Sequence, residues 1–145
     1  MTGWRIGWVS GNPEVVAALG KVKSNIDSGV FGAIQMAGVC ALKGPQYSIE
    51  ENNEAYRQRR DSLVGGLKAL GWNVTSPKAT FYVWARLPKG HKDSRKFCKL
   101  LLQKADIVAT PGIGFGKSGE GFIRMALTVP KERLKEAVDR MSKLL

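Results

Sequence analysis

The segment Met1–Gly11 constrains the fold more than any other stretch, because its pattern predicts a strand at the start of the sequence. Trp4, Ile6 and Trp8 alternate with other residues at a two-residue period, and glycines punctuate the run. The backbone N–H and C=O groups of a strand must be paired with a neighbouring strand. No residue precedes Met1 in this sequence, so we expect the partner strand to come from elsewhere.

Helical patterns follow this segment up to residue 70. Asn12 and Pro13 are typical of a helix start, as N-cap and first helical residue, and the helix is predicted to end near 23–25. The apolar, small-residue run 30–42 predicts a buried helix. The Ser48-x-x-Glu51 pattern then predicts a capping box that opens a long helix to Leu70.

After Gly71 the predicted elements become shorter, and helices and strands alternate. A helix is predicted from a cap at Asp93 or Ser94 through Lys104, and another after Pro130. Strands are predicted at Trp72–Thr75, Phe81–Leu87, Ile107–Thr110 and Phe122–Ala126. The pattern as a whole favours an alternating α/β protein.

The composition excludes several classes of function. A net charge of +11 is compatible with nucleic-acid binding, but the basic residues are scattered and do not alternate with aromatic ones. We therefore predict no nucleic-acid partner, and no membrane span because no apolar run is long enough. Cys40 and Cys98 stand far apart and His91 stands alone, which predicts no metal site and reduced thiols in a cytoplasmic protein.

The glycine-rich segment Pro111–Gly121 contains a misleading motif. Gly114–Ser118 reads Gly-Phe-Gly-Lys-Ser, like the end of a phosphate-binding P-loop. The motif requires a further glycine where this sequence has Pro111, and a helix should follow to receive the phosphate at its N-terminus. A predicted strand follows instead, so we predict no nucleotide site.

The residues of the first segment, Met-Thr-Gly-Trp-Arg-Ile-Gly, resemble the run just downstream of the cofactor lysine in class I/II aminotransferases, the pyridoxal-phosphate enzymes of fold type I. The resemblance implies that Arg5 binds the phosphate group of the cofactor. It also implies that the Schiff-base lysine lies upstream of Met1, so that this chain contains no catalytic residue. The cofactor expected for the full-length protein is pyridoxal 5′-phosphate.

A second motif near the C-terminus strengthens the resemblance. The run from Pro111 to Arg124 is similar to the family's Pro-Gly-x-x-Phe-Gly-x-x-Gly-Glu-Gly-Phe-x-Arg, whose arginine binds the substrate α-carboxylate. This implies that Arg124 is the substrate arginine. The pattern alone leaves open a salt bridge between Arg124 and a protein carboxylate, because a strand arginine must be paired when it is buried.

Two shorter stretches resemble the branch of the family that acts on LL-diaminopimelate. They are Asn25-Ile-Asp-Ser-Gly29 and Pro77-Lys-Ala-Thr-Phe-Tyr82. The first implies that Ser28 contacts the active site of a partner subunit across a homodimer interface. Dicarboxylate-specific relatives carry an arginine in this region, whereas this sequence has none between Arg5 and Arg57, which makes a simple aspartate aminotransferase less favoured.

The resemblance covers the whole sequence and implies a truncated fold-type I enzyme. Residues 1–45 would be the end of the large cofactor domain, 46–71 an interdomain helix, and 72–145 the small α+β domain at the C-terminus. The full-length protein would move an amino group between an L-amino acid, LL-diaminopimelate, and a 2-oxo acid, 2-oxoglutarate. The fragment itself would be inactive and prone to self-association. Three alternatives remain: an alanine-type or broad-specificity aminotransferase, a lyase of the same fold, and a non-catalytic basic interaction domain.

Overall fold

The computed structural model describes residues 2–144, and it describes side chains from residue 3 onward. The chain divides into two compact units, with the boundary between Ile49 and Glu50. The three-part division predicted from the sequence stays a prediction.

The first unit consists of a short 3-10 helix, Thr2–Trp4, and the helices α1 (Pro13–Ser24) and α2 (Gly32–Lys43). The strand predicted within Met1–Gly11 is therefore wrong for the described part of that segment, and Met1 lies outside the described residues. Residues 6–10 have no regular secondary structure. The physical reason is that no strand of the described chain lies beside them to complete a ladder.

The cap of α1 agrees with the sequence prediction. The Asn12 side-chain oxygen accepts hydrogen bonds from the N–H groups of Glu14 and Val15 at 2.9 and 3.3 Å, and Pro13 is the first helical residue. The prediction that α2 is buried is wrong, since neither helix has a buried residue. Its apolar side chains, such as Phe31 just before it and Met36 within it, are exposed.

Helix α3 (Tyr47–Ala69) links the two units in sequence. It begins two residues earlier than predicted, so Ser48 lies inside the helix and the predicted Ser48–Glu51 capping box does not form. Only its second half, Leu63, Val64 and Leu67, is buried.

The second unit is built on a three-stranded antiparallel sheet in the order β1 (Tyr82–Arg86), β3 (Phe122–Ala126), β2 (Thr110–Pro111). In the β1–β3 pair, Trp84 lies opposite Arg124 and Ala85 opposite Ile123. The inner face of the sheet is buried: Val83, Ala85 and Ile123 have no exposed surface. This alternation agrees with the two-residue period of both segments.

Helices α4 (Ser94–Ala105) and α5 (Lys131–Ser142) complete the second unit. Their buried residues join those of α3 and of the inner sheet face in one core. From the helices the core takes Leu63, Val64, Leu67, Phe97, Leu101, Leu134 and Met141. One layer of helices therefore covers the inner face of the sheet, and the other face remains available for chemistry.

Two predicted strands are shorter than expected. Of Trp72–Thr75, only Val74 pairs, as an isolated bridge to Ala85. Of Ile107–Thr110, only Thr110 belongs to a strand. The Ile107 N–H instead donates to the Leu101 carbonyl in the turn that ends α4, where Asp106 adopts a left-handed conformation.

Candidate functional site

The outer face of the sheet carries aromatic rings around Arg124, the middle residue of β3. Because Ile123 and Met125 point into the core, Arg124 lies on the opposite face with Phe122 of the same strand. Its cross-strand partner Trp84 is on this face too, and the Trp84 ring lies 6.5 Å from the ring of Phe122. Arg124 therefore alternates with core residues along β3, within the strand that the sequence predicts at Phe122–Ala126.

Arg124 is half-buried, and two aromatic rings flank it. The guanidinium carbon lies 4.0 Å from the centroid of the Tyr82 ring and 4.4 Å from that of Phe115. Contacts of this kind are attractive because the ring face carries partial negative charge. Phe115 in turn packs edge-on against Trp84, at 5.2 Å between centroids. The guanidinium is therefore confined by a small aromatic cluster.

None of the charged groups in residues 2–144 neutralises Arg124. Six ion pairs occur among the described residues, and Arg124 takes part in none of them. The internal salt bridge that the sequence left open is thus not present in the described chain. A half-buried arginine with its in-plane N–H donors available is suited to bind a planar carboxylate through two parallel hydrogen bonds.

The segment from Gly112 to Gly121, called the glycine loop below, carries Phe115 to this cluster. It consists of two short 3-10 turns, Gly112–Phe115 and Lys117–Gly119, and leads directly into β3. The Gly-Lys-Ser run leads into β3 and not into an α-helix, so it lacks the context of a nucleotide site. The loop is an aromatic support for Arg124 in this structure.

The other two residues singled out from the sequence, Arg5 and Ser28, lie in the first unit. The Arg5 side chain is exposed, and its backbone φ of +55° is in the left-handed region, which is uncommon for a residue other than glycine. Ser28 is exposed in the turn after α1. In that turn the Asp27 carboxylate accepts a hydrogen bond from the Gly29 N–H at 2.7 Å.

Several features of the segments that flank β1 and β3 could not be identified from the sequence. Thr80, just before β1, has a φ of +71°, an unfavourable conformation for a β-branched residue. Strain of this kind is often retained beside functional sites. Arginines in the middle of a helix are usually exposed, yet Arg59 and Arg60 of α3 are both half-buried. They donate to the carbonyls of Leu127 (3.1 Å) and Pro77 (3.3 Å), and so tie α3 to the segments that flank β1 and β3.

Three further findings concern the rest of the described chain. His91 lies between β1 and α4; it is half-buried, and its ring lies edge-on to Phe97 at 4.7 Å. Among residues 2–144, no group of three or more His, Cys, Asp or Glu side chains is placed to hold a metal ion. No helix in this part of the chain is long and apolar enough to cross a membrane.

Comparison with known proteins decides the family. The family model "Aminotransferase class I and II" matches residues 1–141. The chain belongs to the class I and II aminotransferases. The LL-diaminopimelate aminotransferase of Moorella thermoacetica is 50% identical over 145 residues, which are 100% of this chain and 37% of that protein. That of Syntrophobacter fumaroxidans is 56% identical over 144 residues, or 99% of this chain and 37% of that protein.

Solved aminotransferase structures share the fold as well. The aromatic aminotransferase from Pyrococcus horikoshii matches with a TM-score of 0.91 at 33% identity, over 100% of this chain and 39% of that one. A Thermus thermophilus aspartate aminotransferase mutant matches with a TM-score of 0.90 at 33% identity, over 100% and 40%. These matches confirm the predicted fold-type I class. The chain spans 37% of the length of the curated relatives named above.

Proposed function

We propose that this chain is the C-terminal part of an aminotransferase that moves an amino group between an L-amino acid and a 2-oxo acid. The observation that carries the proposal is Arg124, an arginine flanked by Tyr82 and Phe115 and free of any described protein carboxylate. Every amino acid and 2-oxo acid presents a carboxylate beside the reacting carbon. A group that binds this carboxylate can serve both half-reactions.

We further propose LL-2,6-diaminopimelate as the amino donor and 2-oxoglutarate as the acceptor. Relatives named LL-diaminopimelate aminotransferase are 50–56% identical to this chain. Solved structures named for other donors are 33% identical. The higher identity supports the first specificity over an alanine-type or broad-specificity enzyme.

The cofactor of the family is pyridoxal phosphate. In this chain, Arg5 is suited to bind the phosphate group of that cofactor. Arg5 is exposed and is not among the ion pairs of residues 2–144, so its guanidinium is available to bind a phosphate dianion through charge-assisted hydrogen bonds. When bound, the cofactor supplies an electron sink for the substrate's α-carbon. The lysine that attaches it is proposed to lie outside this chain, which by itself would then be inactive.

In the proposed reaction, the residues of this chain bind and orient. Arg124 fixes the carboxylate end of the substrate, and the rings of Tyr82 and Phe115 limit the motion of the guanidinium. Holding a reacting group in one orientation lowers the barrier because that entropy is lost on binding and not in the transition state. Arg5 restrains the cofactor through its phosphate.

We also propose that the full-length protein is a homodimer in which Ser28 faces the partner's active site. Its support is the exposure of Ser28 in the turn Asn25–Gly29, in which no side chain is buried. Cys40 and Cys98 are both free thiols, which supports a reducing, cytoplasmic location.

The experiment that tests the proposal is a donor panel on the full-length protein that contains this sequence. The rate of glutamate formation from 2-oxoglutarate is measured with LL-diaminopimelate, L-aspartate, L-alanine and L-phenylalanine. The highest kcat/KM is expected for LL-diaminopimelate. A higher value for alanine would favour the alanine-type alternative, and no amino transfer from any donor would refute the proposal. Arg5→Lys should raise the dissociation constant of pyridoxal phosphate, because the planar phosphate-binding fork is lost.

A further inference from the structure

The glycine loop holds one of the two rings against Arg124, yet the loop has no sheet ladder of its own. Tyr82 is fixed because it belongs to β1. Phe115 lies at the end of a 3-10 turn, and the residue is exposed by 49%. Its position over the guanidinium must therefore be maintained by contacts elsewhere in the loop.

Two hydrogen-bonding residues anchor the loop to the start of α4. The Ser94 N–H donates to Oε1 of Glu120 at 2.7 Å, and the Gly121 N–H donates to the same oxygen at 2.9 Å. From the other side of the loop, the Ile113 N–H donates to Oγ of Ser94 at 3.3 Å. Both ends of the loop are therefore tied to one residue of α4.

Ser94 is suited to this task because it is fully buried. It has no exposed surface, and it is the buried polar residue of the described core. A buried hydroxyl is retained where its hydrogen bonds are satisfied, and losing a partner costs the desolvation of the remaining group. The Glu120 carboxylate accepts a charge-assisted bond from the first N–H group of α4, that of Ser94, where an anion is favoured.

We propose that Glu120 and Ser94 are positioning residues that hold Phe115 against the Arg124 guanidinium and thereby set the KM of carboxylate substrates. This inference rests on the proposed function of Arg124. Neither residue touches the guanidinium; they act through the geometry of the glycine loop. The hydrogen bonds by which Glu120 and Ser94 hold the glycine loop are called the clamp below. When the clamp is lost, Phe115 moves away from Arg124 and the guanidinium gains rotational freedom. The substrate must then order the guanidinium when it binds.

The first test measures the position of Phe115 directly. In the full-length protein, residue 115 is replaced by 4-fluorophenylalanine, and the ¹⁹F resonance is compared with that of the denatured protein. Glu120→Ala should move the resonance toward the denatured position. Glu120→Gln should move it less, because its amide oxygen can still accept both hydrogen bonds. Glu132→Ala is the matched control, since Glu132 is an exposed glutamate near the start of α5, and it should leave the resonance in place.

The second test separates positioning from general destabilisation by kinetics. Glu120→Ala and Phe115→Leu should each raise the KM of amino donor and oxo acceptor by about three- to thirtyfold, the range that one cation–π contact supports. The kcat should change little, because the lost interaction is present in both ground state and transition state. A fall in kcat and stability with unchanged KM would instead indicate a structural role.

The two proposals can fail separately. An unmoved ¹⁹F resonance in Glu120→Ala overturns the clamp, whatever the kinetics show. A moved resonance with unchanged KM also overturns it, provided that Arg124→Lys raises KM in the same protein. If Arg124→Lys leaves KM unchanged, the proposed function of Arg124 fails, and the ¹⁹F measurement alone then decides whether Glu120 and Ser94 position Phe115.

Discussion

The backbones of Gly112 and Gly119 are in close contact at the base of the glycine loop. A Cβ atom on Gly112 would lie 1.9 Å from the carbonyl oxygen of Gly119 and 2.6 Å from that of Phe122. A Cβ atom on Gly119 would lie 2.1 Å from the Gly112 oxygen. The loop can close only because both residues lack a side chain, and this closure brings Phe115 to Arg124.

Gly112→Ala is therefore expected to open the loop and lower the free energy of unfolding by about 1–3 kcal/mol or more, the usual cost of overpacking. Gly114→Ala is the matched control, because a Cβ at Gly114 meets no atom within 4 Å. Urea denaturation of both variants provides the comparison. Equal stability of the two would show that the Gly112–Gly119 contact is not required for the loop.

A second pair of glycines tests the packing of α3 on α5. A Cβ on Gly66 would lie 2.7 and 2.8 Å from the methyl carbons of Val138, whereas a Cβ on Gly65 meets nothing within 4 Å. Gly65→Ala should stabilise the protein by about 0.5–1 kcal/mol through helix propensity. Gly66→Ala should destabilise it, and adding Val138→Ala should restore part of the loss. If Gly66→Ala stabilised the protein as Gly65→Ala does, the close helix contact would be refuted.

The Glu120 clamp predicts a dependence of stability on pH. Hydrogen bonds from the Gly121 N–H and then the Ser94 N–H lower the pKa of Glu120 below its usual value. A lowered folded-state pKa means that the stabilisation is present above the pKa of the unfolded chain. It is lost as the pH falls through the folded-state pKa.

The measurement is the difference in denaturation midpoint between the wild type and Glu120→Gln at neutral and acid pH. The wild type should be the more stable at neutral pH, and its advantage should shrink as the pH falls below the ordinary range of glutamate. A difference that is constant from neutral to acid pH would contradict the clamp. Other carboxylates also have lowered pKa values, among them Glu136, which is paired with Arg140. Both proteins contain them, so their contributions to the pH dependence of stability cancel in the difference.

Much of this architecture is present in the sequence, and the exceptions have physical causes. Local signals were sufficient to predict the Asn12 cap and a cap of α4 at Asp93 or Ser94, of which the structure has Asp93, because a cap depends on neighbours a few residues away. The strand predicted at the start of the chain was wrong, because a strand depends on a partner that the described residues do not supply.

The surroundings of Arg124 could not be predicted from periodicity. Phe115 and Tyr82 are 33 residues apart, and only the register of β1 with β3 and the closure of the glycine loop bring both to one guanidinium. The Ser94–Glu120 contact likewise joins residues 26 positions apart. The resemblance to the family indicated Arg124, but it did not indicate which side chains hold it.

The exposed apolar side chains of the first unit indicate how a protein made of these 145 residues alone should behave. No described side chain in residues 3–49 is buried, and Trp8, Ile26 and Phe31 are each exposed by 74% or more. Large exposed apolar patches seek partners. Such a protein should self-associate in sedimentation experiments, and polar substitutions at Trp8 and Phe31 should reduce the association. A monodisperse monomer at all concentrations would contradict this expectation.

The most direct test of the central claim is the kinetic comparison of Arg124→Lys with Arg86→Lys in the full-length protein. Arg86 is the matched control, because it is an arginine on the same sheet face whose guanidinium lies over the Phe122 ring at 4.8 Å. Lysine keeps the charge but loses the planar fork. Charge-assisted hydrogen bonds contribute about 1.5–3 kcal/mol each. Arg124→Lys should therefore lower kcat/KM about ten- to a hundredfold for both the amino donor and the oxo acceptor, while Arg86→Lys leaves both unchanged. Unchanged kcat/KM in Arg124→Lys, with a loss of stability only, would show that Arg124 is a structural residue and contradict the account.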